Sequence, residues 1–439
     1  MIWEGVFALG KILLAFGCML TGMRMKLGIG ASIFAGGLVL ALLFGMGLLT
    51  WVGVAAKASV GWQCVSLALI VVLILMLSHV LERTGQSLKL MDALAGFLPS
   101  RRLRLIFFPV LIGLLPMPGG AAFSAPMVRQ TGEPLGISQD EMALVNYWFR
   151  HVWELCWPLY PGIIMTAGLL NLPLSTVILS TGLGSVVFFG LGWWFILRPM
   201  GPRLAALDAQ AGQAGQAGQN GDAGEAPKRD LRLAFRLGLP LIIAIVGSLA
   251  LEAAVSALFP NASFELGIMG ALVAAIVCVF AQNKAGMSFL WQSLMQKELR
   301  QTLVMVAAIF AFNAVMDEAG VVRELVKLGG GAALLTAAVF VPALVGMVAG
   351  VTMAFVGAAF PLMLGLLDQL GMQHQAMAWA MLALVSGFAG VMASPLHICL
   401  VMTCQYFGVD MPRFWRQVMP ACLGLLAFGA VWFFVLRAL

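Results

Sequence analysis

Residues able to do chemistry are scarce in this 439-residue chain, and three of them stand together: Arg150, His151 and Glu154, inside the run NYWFRHVWELCWPLYPG from Asn146 to Gly162. A spacing of four between Arg150 and Glu154, and of three between His151 and Glu154, predicts one shared helical face. An ionisable group at the centre of a spanning helix costs at least about 2.5–3.5 kcal/mol on insertion scales, so such groups are expected to face a cavity or a partner. Their chemistry is ion handling. Glu154, one turn before Pro158, suits a proton or sodium site; His151 suits a proton relay; Arg150 suits a substrate carboxylate or the tuning of Glu154. A structural ion pair within that face is the competing reading. The spacing is not HExxH, and no GxxxxGK[ST] occurs, so an intramembrane enzyme stays a remote alternative and direct ATP coupling has no support. No enzyme is expected.

Other polar residues fall at breaks and ends of apolar runs. Pro158, Tyr160 and Pro161 interrupt one run, and Ser394, Pro395 and His397 interrupt another, because proline lacks a donor and clashes one turn back. Tyr160 and His397 are expected to face one ligand. Glu82 and Asp317 close two further spans, where a carboxylate can bind a coupling cation or cap the next segment, and Asn313 is a possible additional ligand. The seven cysteines, Cys399 among them, lie in apolar stretches without CxxC spacing. They read as buried reduced thiols, with no metal site and no disulfide.

These residues must be positioned by membrane-spanning helices. Hydrophobic residues make up 62% of the chain and charged ones 10%, against roughly 45–50% and about 25% in a soluble domain, which excludes a soluble enzyme of the usual kind. Counting runs of about 20 apolar residues gives ten spans, near 7–22, 29–50, 63–81, 142–170, 172–197, 237–258, 266–282, 301–316, 376–405 and 419–436. Two uncharged stretches remain. Residues 105–128 have basic residues on both flanks and PMPGG in the middle, and 333–367 contains AGVTMAFVGAAFP. Both read as re-entrant hairpins, a form tolerated at depth only where protein or a cavity surrounds it. Gly119, Gly120 and Ser124 would mark the first tip, and Gly350, Thr352 and Gly357 the second, where free backbone groups can meet a ligand.

Charge fixes the orientation. The net charge of +6 is spread in short groups at the ends of apolar runs, which fits the positive-inside rule and not nucleic-acid binding. The opening MIWEG lacks the basic region of a secretory signal, so the first apolar run is kept as a span. Residues 201–233, rich in Gly, Gln and Ala, read as a flexible cytoplasmic linker with both termini outside. An inner-membrane, multi-pass protein follows.

Across that linker the chain repeats itself. VLERTG at Val80 and VMDEAG at Val315 lie 235 positions apart, and PVLIG at Pro109 and PALVG at Pro342 lie 233 apart. AAF at Ala121 and Ala358, and PLY and PLH at Pro158 and Pro395, both lie 237 apart. Five crossings per unit is an odd number, so residues 1–200 and 234–439 are expected to be inverted-topology repeats, a pointer to a secondary transporter with its site near the midplane. The fold class expected is an all-α polytopic membrane protein with about ten transmembrane helices and two re-entrant hairpins.

This order of elements resembles the ion transporter superfamily, which includes gluconate permeases, divalent anion/sodium symporters and sodium/proton antiporters. PMPGGAAFSAPMV from Pro116, with the run around Arg150, is similar to the family labelled domain of unknown function 401. The resemblance implies scaffold and transport bundles, a homodimer and elevator-like movement. It names no substrate, and the Ser-Asn-Thr hairpin signature of the dicarboxylate branch is absent. The function expected is secondary active transport of a small, anionic organic solute coupled to protons or sodium, with no cofactor beyond a coupling ion. A sodium/proton antiporter is the alternative.

Overall fold

The computed structural model describes residues 2–95, 97, 101–116, 119–202, 230–259, 263, 265–284, 288–326 and 330–438. Every regular element among them is helical. Nine helices of the described residues are long and apolar enough to cross a membrane, which makes this a multi-pass membrane protein. Most expected spans appear with longer ends, as at Trp62–Arg83 and Met411–Ala438. The run expected as one span over 29–50 instead forms two helices, Ile29–Leu43 and Leu48–Ser59. Between them Gly45 takes φ 82°, a left-handed conformation that glycine alone adopts without steric cost. Short helices Gln86–Ala95 and Ser288–Leu294 occupy segments expected as loops.

Two helical hairpins and two interrupted helices stand out. The first hairpin pairs Arg101–Ile112 with Ala121–Gly132, and the second pairs Gly330–Ala349 with Thr352–Gln369 across Gly350 at φ 64°. The arms of the second are each long and apolar enough to cross by themselves, whereas those of the first have 12 residues each. Met117 and Pro118 of the PMPGG turn, and residues 203–229 of the expected linker, lie outside the described residues.

The first interrupted helix comprises Gln139–Phe149 and Pro161–Leu170, and the second comprises Ala376–Met392 and Ile398–Phe407. A capping box opens the first: Ser138 Oγ accepts from the Glu141 N–H, and the Glu141 carboxylate accepts from the Ser138 N–H at 2.9 Å. The helix then stops at Phe149, well before Pro158, so 150–160 is a run of turns. Arg150, His151 and Glu154 therefore lie inside the break and do not share a helical face, which corrects the expectation drawn from their spacing. Pro158 and Pro161 each withhold an N–H and crowd the carbonyl one turn back, so the unwinding extends upstream of them.

Glycines let these parts meet at backbone distance. A Cβ on Gly113 would overlap the carbonyl oxygen of Arg150, and one on Gly346 would overlap that of Gly387. Elsewhere Gly267 lies against the backbone of Leu251 and Glu252. Close approach through small residues replaces the hydrophobic driving force that lipid cannot supply between helices.

Candidate functional site

Both hairpins end on both interrupted helices, and the polar side chains of the breaks close the contacts. Tyr160, the residue before helix Pro161–Leu170, donates its hydroxyl to the Gly113 carbonyl at 2.7 Å. His397, the residue before helix Ile398–Phe407, sets Nδ1 2.7 Å from the Gly350 carbonyl. Each therefore fastens the residue ahead of a restarting helix to the hairpin 47 positions upstream. Ser394 repeats the device, its Oγ donating to the Met347 carbonyl at 2.5 Å and accepting from the Leu396 N–H at 3.1 Å.

Contacts also cross between the two halves. Thr352, first residue of the second hairpin's outgoing helix, donates its hydroxyl to Glu154 Oε2 at 2.7 Å. Gly162 sits so close to the Thr352 side chain that a Cβ there would collide with it. His151 Nε2 lies 3.0 Å from His397 Nε2 and 4.0 Å from Glu154 Oε1, while its Nδ1 is 2.6 Å from the Tyr147 carbonyl. The Arg150 guanidinium lies against Gly120, where any side chain would overlap it, and Nη1 is 3.5 Å from His151 Nε2. All of these side chains are buried.

Electrostatics follow from the helix ends. Four helices start at this cluster, at Ala121, Pro161, Thr352 and Ile398, each with its positive dipole end there. The buried Arg150 adds a full positive charge, and the Glu154 carboxyl is buried with it. Such a place favours an anionic group.

The profile of a family described as a protein of unknown function, DUF401, matches residues 9–209 and 253–436. The chain belongs to the DUF401 family. No curated protein matches it.

The fold of this DUF401 protein brings together Gly120, Arg150, His151, Glu154, Tyr160, Thr352, Ser394 and His397 of the residues singled out from sequence. Gly119, at φ 71°, turns the first hairpin beside Met402 of the other half. Two residues expected at hairpin tips stand elsewhere. Gly357 lies inside helix Thr352–Gln369 packed on Ile309, because Gly350 makes the turn. Ser124 lies inside helix Ala121–Gly132 and binds Asn146 Oδ1 at 2.5 Å. Tyr160 and His397 do occupy matching places, but the tyrosine hydroxyl is engaged on a hairpin carbonyl.

Glu82 and Asp317 are exposed at the ends of helices Trp62–Arg83 and Lys297–Glu318, and Asn313 is half-buried within the latter. Among the buried polar groups of this DUF401 protein, spacing and motif assign no role to Asn146 or Glu252, nor do they place Cys399 beside two histidines. Asn146 donates to the Ala121 carbonyl and to Thr403 Oγ1, both at 3.0 Å, joining the first hairpin to both interrupted helices. Glu252 accepts from the Leu174 N–H at 2.7 Å and caps helix Leu174–Gly192 from a neighbouring helix. A single carboxylate inside the apolar run 237–258 was the available signal for it. Cys399 lies beside His151 and His397. Of the other cysteines, Cys64, Cys404 and Cys422 are buried as expected, but Cys18 is exposed and Cys156 and Cys278 are half-buried.

Proposed function

We propose that this protein is a secondary active transporter for a small anionic organic solute, driven by protons or sodium. The observation that carries the reading is the convergence of four helix starts and Arg150 on one buried cluster that also holds Glu154. Paired interruptions whose helix ends face an anion are the membrane form of a carboxylate site. In this reading Arg150 and the N–H groups near Gly120 and Thr352 receive the anion, Glu154 is the coupling group, and His151 passes protons. Glu82 and Asp317, exposed at helix ends, and Asn313, half-buried, are the further candidates for the coupling ion.

Inverted repeats over 1–200 and 234–439, with re-entrant hairpins, belong to the same proposal. Helix boundaries support it: Pro161–Leu170 and Ile398–Phe407 differ by 237 positions at both ends, and Trp62–Arg83 and Lys297–Glu318 by 235. The bonds from Tyr160 to Gly113 and from His397 to Gly350 are related by the same 237. The resemblance to the ion transporter superfamily adds a homodimer, an elevator-like displacement and an inner-membrane location with residues 201–233 cytoplasmic.

The test is uptake into proteoliposomes of solutes preselected by thermal shift, since a ligand of the folded state raises its melting temperature. Expected is flux that follows an imposed proton or sodium gradient and is abolished by Glu154→Gln in protein that still elutes as a single folded species. Full coupled flux in that variant would remove Glu154 from the mechanism. Proton release on adding sodium, with no organic solute present, would instead favour the antiporter reading.

A further inference from the structure

The transport reading leaves Cys399 unused and the meeting of His151 with His397 unexplained. Nδ1 of His151 faces the Tyr147 carbonyl at 2.6 Å, and Nδ1 of His397 faces the Gly350 carbonyl at 2.7 Å. A carbonyl oxygen only accepts, so both Nδ1 atoms carry the ring proton, and in the neutral rings both Nε2 atoms are lone-pair acceptors. Those lone pairs confront one another across 3.0 Å. The Arg150 guanidinium reaches one of them at a long 3.5 Å, but in the neutral rings no ring proton serves the contact between them.

A shared proton would satisfy two bases, but a third donor converges on the same point. One donor atom from each of His151, His397 and Cys399 lies within 4.8 Å of the other two, and all three residues are buried. Donors sharing one ion at ordinary zinc–nitrogen and zinc–sulfur lengths stand about 3–4.4 Å apart. Metal-bound histidines also fix their orientation by donating the remote ring N–H to a carbonyl or carboxylate, as both of these rings do. We propose that His151, His397 and Cys399 form a binding site for a soft d10 metal cation, Zn²⁺ or Cu⁺.

The donor set selects the class of ion. Thiolate and imidazole suit zinc and monovalent copper and disfavour magnesium or calcium, which require oxygen ligands. Arg150, with Nη1 3.5 Å from His151 Nε2, opposes an added cation. The Cys399 thiolate formed on binding and the nearby Glu154 carboxylate supply the compensating negative charge. His151 comes from the first interrupted helix, and His397 and Cys399 come from the second, so the ion would join the two halves of the chain. It would also withdraw His151 from proton relay and leave Glu154 as the coupling group. Metal binding is independent of whether transport occurs, and the two readings fail separately.

The measurement is metal content of purified full-length protein in detergent, with any affinity tag removed, before and after anaerobic incubation with Zn²⁺ or Cu⁺ and desalting. Expected is about one zinc or copper ion per chain, falling at least tenfold in His397→Gln and Cys399→Ser. Cobalt loading should give the near-ultraviolet band of a cobalt–thiolate bond in the parent protein and lose it in Cys399→Ser. Size-exclusion elution of each variant checks folding, and the parent protein alone decides the outcome if a variant does not fold. Only trace metal after both incubations would overturn the proposal and assign the pair a shared proton. Unchanged stoichiometry in both folded variants would overturn it too, by placing the metal elsewhere.

Discussion

Thr352 carries a cross-half bond through one hydroxyl. Replacing it with valine keeps the shape and removes the donor to Glu154 Oε2. Leaving a buried acceptor without its donor costs about 1–3 kcal/mol, so Thr352→Val should lower the thermal midpoint, while Thr352→Ser restores most of it. A midpoint equal in all three proteins would remove Thr352 from the support of Glu154. Tyr160→Phe should cost less, about 0.5–1.5 kcal/mol, since it removes a neutral hydrogen bond to Gly113. Glycine gives a sharper contrast. Gly113→Ala must displace the backbone oxygen of Arg150, whereas a Cβ on Gly182, inside helix Leu174–Gly192, meets nothing within 4 Å. We expect Gly113→Ala to destabilise by about 1–3 kcal/mol or more, and Gly182→Ala to stabilise by up to about 1 kcal/mol, read by thermal unfolding in detergent.

Among elements, the helix that starts at Leu174 depends on a partner outside itself. Pro173 precedes it and offers no side-chain cap, and Glu252 from helix Leu231–Leu258 accepts the Leu174 N–H instead. Glu252→Ala should therefore lower stability by about 1–3 kcal/mol and increase hydrogen exchange at the start of helix Leu174–Gly192, with Glu252→Gln intermediate. Exchange unchanged there in Glu252→Ala would show that the cap is dispensable. Elements were also the scale at which sequence spoke most clearly. Apolar runs bounded by basic residues located the spans, and Pro158 and Pro395 located both interruptions. Their extent was hidden. The first break spans 150–160 and the second only 393–397, although each contains one Pro-Leu pair; the first also runs up to Pro161 and holds three ionisable side chains whose partners, Gly120, His397 and Thr352, lie on other elements. Cys399 was illegible for the same reason: in sequence it is one apolar residue in a helix start, and only the folding of two distant segments sets it beside two imidazoles.

For the whole molecule, the proposed topology makes a directional prediction. A thiol probe that cannot cross membranes should label a cysteine placed at Asn220 from the cytoplasmic side only, and a reporter fused after residue 439 should be active only outside the cell. Labelling of both positions from one side would contradict inverted repeats. The polar contacts between His151 and His397, Glu154 and Thr352, and Asn146 and Thr403 have a further consequence. Each joins a residue before 201 to one after 233, so neither portion can satisfy its buried polar groups alone. Divided into two genes at the linker, the protein should accumulate only when both polypeptides are made in the same cell, each acting as the obligate chaperone of the other.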